Sequence, residues 1–98
     1  MALFDTALDH SIDMSGTLVA GEDLSRRYVA VQNKHLTTSL RLYLLPRGRT
    51  APVDMDADYM EIAPGKVWFR GIEVCPANAI YLASSNRTVT ALVDIQTG

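Results

Sequence analysis

From Arg26 onward, apolar residues recur at every second position. In "RYVAVQN", Val29 and Val31 fall on one side while Tyr28, Ala30 and Gln32 fall on the other. In "LRLYLL", Leu40, Leu42 and Leu44 share a face opposite Arg41, Tyr43 and Leu45. The last run, "TVTALVDI", sets Val89, Ala91, Val93 and Ile95 inward and Thr88, Thr90 and Asp94 outward, with Leu92 a lapse on the outer face. Period two with β-branched residues is the signature of half-buried antiparallel strands. "YMEI", "KVWFRG" and "NAIYLAS" fit as shorter strands between them, and "PRGR", "APG" and "SSNR" supply turn chemistry. The pattern predicts an all-β domain: a small antiparallel β-sandwich or barrel of six to seven strands.

The first sixteen residues depart from that pattern. Phe4, Leu8 and Ile12 recur every four residues, a spacing that suits one face of a short helix. Asp5, Asp9, His10 and Asp13 lie between them, and Ser15-Gly16 closes the segment. Two arrangements fit: an amphipathic turn docked on the domain, or an arm that orders against a neighbouring subunit. The expected organisation is therefore an amino-terminal arm over 1–16 and a β-sandwich over 17–98. Apolar Leu3, Phe4, Leu8 and Ile12 are the arm's candidate partner-binding anchors.

Composition narrows the function classes. At 98 residues, with 48% hydrophobic and 20% charged residues, the chain suits one globular domain rather than a disordered segment. A net charge of −2 argues against general nucleic-acid binding, which leaves a basic footprint. Arg47 and Arg49 in "PRGRT" read as a solvated turn. The single cysteine, Cys75, excludes an intrachain disulfide and reads as a buried, inert thiol. No stretch reaches the ~20 apolar residues of a membrane-spanning helix, and the amino terminus lacks signal-peptide chemistry. Synthesis and folding in a cytoplasm are expected, without membrane association.

Candidate chemistry is sparse. "DMDADYME" gathers Asp54, Asp56, Asp58 and Glu61, but the sixth and twelfth positions of an EF-hand loop counted from Asp54 hold Tyr59 and Gly65. A solvated acidic loop is the reading, with an irregular cation site as its alternative. His10 and His35 have no further ligand at a productive spacing. The serines of "TTS" and "ASSN" lack a hydrolase elbow. No cofactor, metal or catalytic residue is assigned, and no enzymatic activity is expected. Among the aromatic residues, Trp68 is the candidate participant in a sugar- or peptide-binding face, the alternative being core and cross-strand packing.

The order of three short motifs adds a resemblance. "VQN" at Val31 to Asn33, "IAPG" at Ile62 to Gly65 and "AIYLAS" at Ala79 to Ser84 follow one another between strands, as in small β-rich accessory proteins of tailed-phage virions. The resemblance runs from Arg26 to Ile95, and proteins of this kind include capsid decoration, or cementing, proteins and other accessory components of the particle. It implies a non-enzymatic virion structural protein that binds the major capsid protein or another virion component. It also implies association as a homo-oligomer, a trimer among the forms. A neck or tail component and an adhesion or carbohydrate-binding β-module are the alternative functions.

Overall fold

A computed structural model describes residues 8–56, 59–71 and 75–97. Leu3 and Phe4 lie outside the described residues, as does Asp58 of the acidic cluster. Eight strands are present among the described residues: β1 (Leu8–Ile12), β2 (Thr17–Ala20), β3 (Arg26–Asn33), β4 (Leu40–Leu44), β5 (Met60–Ile62), β6 (Val67–Arg70), β7 (Ile80–Ser84) and β8 (Val89–Thr97). They form two four-stranded sheets, ordered β1-β8-β3-β6 and β2-β7-β4-β5. Every pairing is antiparallel. Of the expected sandwich or barrel the fold is the sandwich, with eight strands among the described residues against the six to seven expected.

The topology is a folded hairpin. β4 pairs with β5, β3 with β6, β2 with β7 and β1 with β8, so the second half of the chain retraces the first. Pairing of β8 with β3 and of β7 with β4 then closes the two sheets. This is the double-sheet jelly-roll arrangement. Between the sheets, Ile12, Val29, Val31, Leu40, Leu42, Ile62, Trp68, Ile80, Leu82, Val89, Ala91 and Val93 make one buried cluster. The even-odd phase read from β3, β4 and β8 is the phase observed.

One expectation is corrected here. Residues 8–12 are a strand of the sandwich, paired along their whole length with β8, so the helical face is absent there and the domain does not begin at 17. An every-four spacing is also a multiple of two, so Leu8 and Ile12 share a strand face as readily as a helix face. Ile12 is fully buried in the core and is no arm anchor, whereas Leu8 at the sheet edge remains 65% exposed.

The connections differ between the two ends of the sandwich. Turns 13–16, 34–39, 63–66 and 85–88 lie at one end, the closed end. Connections 21–25, 45–59 and 71–79 lie at the other, the open end. Asn33 holds the closed end together. Its side chain is fully buried, and its Nδ2 donates to the Thr38 carbonyl at 2.8 Å and the Ile62 carbonyl at 3.0 Å. Its Oδ1 accepts from the His35 amide at 3.0 Å. Its backbone carbonyl accepts from Gly65 N–H, and its amide donates to the Lys66 carbonyl, both at 3.0 Å. Residues 63–66 form a turn closed by a bond from Lys66 N–H to the Ala63 carbonyl, with Gly65 at φ 75°. Proline then glycine at the central positions is the chemistry that such a turn requires. "VQN" and "APG" therefore occur together because they bond to each other.

Candidate functional site

At the open end, Arg26 organises the loops. It is 6% exposed, and its guanidinium donates to the carbonyls of Pro76, Asn78 and Gly21 at 2.8, 2.9 and 2.7 Å. Met55 and Tyr59 of connection 45–59 pack on the outer face of the β2-β7-β4-β5 sheet. There Tyr43, Leu45, Ala79 and Ala83 make a second buried cluster against Met55, Tyr59 and Tyr81. The Tyr43 hydroxyl donates to the Met55 carbonyl, and burial pushes its pKa above the usual phenol value. Two shallow clefts flank this loop: one of about 290 Å³ over Tyr43, Pro46, Pro52 and Val53, and one of about 210 Å³ between Glu22, Leu24, Arg47 and Asn78. Leu24 and Val53, at their rims, are 83% and 79% exposed.

The outer face of the other sheet is left partly apolar. Val67 and Phe69 are 56% and 49% exposed on β6, an edge strand. Phe69 packs on Tyr28 with ring centroids 5.0 Å apart, and the cross-strand register sets Val67 beside Gln32, which itself pairs with Leu92. The apolar lapse at Leu92 belongs to this strip. Burial, then the Asp94 charge, raises the Tyr28 pKa.

Trp68 points the other way. It is 9% exposed and packs in the core opposite Val31, with the Arg70 guanidinium 5.0 Å from its ring. The expectation of Trp68 on a binding face is corrected: successive strand residues alternate faces, and the exposed ring belongs to its neighbour Phe69. Three consecutive apolar residues, Val67 to Phe69, hid this phase from sequence periodicity.

The remaining candidates are placed in structural roles. His35 Nδ1 accepts from the Thr37 and Thr38 amides at 3.1 and 3.0 Å, so the ring caps the β3–β4 turn. His10 sits half-buried in β1. Asp54 Oδ1 accepts from the Asp56 amide, and Asp56 lies 3.4 Å from Arg41. Among the described residues, no group of three or more His, Cys, Asp or Glu side chains has metal-holding geometry. Burial raises the Cys75 thiol pKa, against a smaller lowering by Arg26, so the thiol is not activated. No described helix is long and apolar enough to cross a membrane.

No protein-family model matches the chain, and no curated protein matches it. Among solved structures it is similar to a chain of the Bacillus endospore appendages, described as a family of disulfide-linked pili. That likeness has a TM-score of 0.55 at 11% identity, over 93% of this chain and 82% of that one. It supports the β-sandwich architecture.

Proposed function

We propose that this chain is a non-enzymatic structural subunit of a tailed-phage virion, a capsid decoration or stabilisation protein that binds the head lattice. The observation that carries the reading is the apolar strip of Val67 and Phe69, exposed on the outer face of an edge strand and backed by Tyr28. Large side chains of this kind on a sheet edge suit a surface that is covered on assembly. The ordered "VQN", "IAPG" and "AIYLAS" motifs add the phage resemblance. Their hydrogen bonds show why they accompany this fold, so partner identity rests on the surface rather than on the motifs.

Association into a homo-oligomer is part of the proposal. The neighbour of similar fold is described as belonging to a family of disulfide-linked pili. A disulfide-linked chain of subunits needs at least two cysteines per copy, and this sequence carries Cys75 alone. Non-covalent packing is therefore the mode proposed here. Its setting is the virion, reached after synthesis in a host cytoplasm.

The test is co-sedimentation of the purified protein with expanded phage heads lacking their accessory proteins. Saturable, stoichiometric binding that falls at least tenfold in Phe69→Lys is the expected result. Absence of binding to heads, with binding to tails or to glycans instead, would replace this reading with one of its alternatives.

A further inference from the structure

The four edges of the two sheets are not equally protected. β5 is three residues long, and β2 carries a register shift between Leu18 and Ala20. Short and irregular edges resist the addition of a further strand. β1 turns Asp9 and Ser11 outward, a charge and a hydroxyl. β6 is regular along its length, and its one charged residue, Arg70, stacks on Trp68 rather than turning outward with Val67 and Phe69.

Backbone direction sharpens the contrast. Asn33 N–H bonds to Lys66 on the β6 side, and Lys34 N–H bonds to Thr90 on the β8 side. Antiparallel strands alternate the direction of their peptide groups, so odd residues of β3 bond to β6. With Val31 opposite Trp68 and Val29 opposite Arg70, the peptide groups of Trp68 and Arg70 face β3. Those of Val67 and Phe69 face the free edge. The two residues with exposed apolar side chains thus also offer the edge's outward N–H groups and the Val67 carbonyl, while the Phe69 carbonyl accepts from Arg70 Nη1 at 2.7 Å.

Charge selects the occupant. Lys66 and Arg70 bracket the strip, and neither is in an ion pair among the described residues. Pairing two β6 edges about a twofold axis, with Val67 opposite Phe69, sets Lys66 opposite Arg70 and repels. An apolar strand bearing a carboxylate is complementary. Residues 2–7, "ALFDTA", lie outside the described residues and lead into β1; they combine Leu3 and Phe4 with Asp5.

We infer that the β6 edge is a strand-addition site for residues 2–7 of a second copy of this chain, with Phe4 covering the Val67–Phe69 strip and Asp5, on the alternate face, beside Lys66 or Arg70. The contact is heterologous: each copy donates one segment and accepts another. It extends the oligomer of the proposed function. The test uses the full chain alone, so its outcome is independent of binding to phage heads.

Sedimentation equilibrium in low salt should show concentration-dependent association that weakens as salt rises. Phe69→Pro removes an outward donor without touching the β3–β6 ladder and should weaken association at least tenfold. Phe69→Lys is the second variant should proline impair folding. Asp5→Lys, and separately Lys66→Glu with Arg70→Glu, should each abolish self-association, and mixing the two proteins should restore it. A chain that stays monomeric, association indifferent to either Phe69 variant, or a charge-reversed mixture that stays apart would each overturn the inference.

Discussion

The closed and open ends of the sandwich solve the same problem in different ways. Both must satisfy backbone groups where strands stop. At the closed end Asn33, a neutral amide, reaches two carbonyls and one amide from within turns of four to six residues. At the open end Arg26 gathers three carbonyls, two from the nine-residue connection 71–79 and one from the five-residue connection 21–25. Short turns leave no slack, so one compact side chain fixes them. Carbonyls drawn from two separate connections need a side chain with reach and several donors. The difference teaches where the molecule has room to vary: the open end holds both clefts and the exposed Leu24 and Val53.

Removing each organiser tests that contrast. Asn33→Ala strands two buried carbonyls and one amide, and should cost about 3 kcal/mol. Chemical denaturation should show a lowered midpoint with an unchanged slope. Arg26→Met leaves carbonyls that long loops bring to water more easily. It should cost about 2 kcal/mol, with hydrogen exchange rising first in 21–25 and 75–79. Equal losses, or faster exchange at the closed end in the Arg26 variant, would break the comparison.

Acid gives the smallest effect and samples both ends. Asp13, at the closed end, is held below its usual 3.8 by bonds from the Ser15 hydroxyl and the Gly16 amide. Asp23, at the open end, is lowered from 3.8 by the Ser25 hydroxyl and amide, and then by the Arg26 charge. A carboxylate with a depressed folded pKa contributes stability above its unfolded value, and that contribution is lost as pH falls through the folded one. Stability should therefore decline below about pH 4. Asp13→Asn and Asp23→Asn should each flatten part of that decline in denaturant midpoints measured from pH 5 to pH 2.5. Both groups are exposed, so either decrement is small.

The strands that sequence reveals are those with one face in the core and one in water. β3 and β8 are central strands of a sheet, and their inward residues alternate with more polar outer ones; Leu92 and the buried Asp94 are the departures in β8. β1 escaped because Leu8, His10 and Ile12 grade from exposed to buried along one edge strand, so its inner face is not uniformly apolar. In β4 and the residue after it, Tyr43 and Leu45 are buried on the face opposite Leu40 and Leu42. Met55 and Tyr59, from the connection that follows β4, pack against that face, and an alternation read over five or six residues has no access to them. The candidate surface was half legible: Leu92 broke the outer pattern, yet only the pairing of Trp68 with Val31 shows that Phe69 is the ring in solvent.

The retracing topology has a consequence for biosynthesis. β8 lies between β1 and β3, so the first sheet lacks a central strand until residues 89–97 have been made. The nascent chain can form the β4–β5 hairpin early, but β1 must wait until β8 has been made. Non-local pairing of this kind slows folding and leaves apolar edges uncovered meanwhile. A stop codon or frameshift ahead of β8 would thus cost the cell a whole sheet rather than one strand.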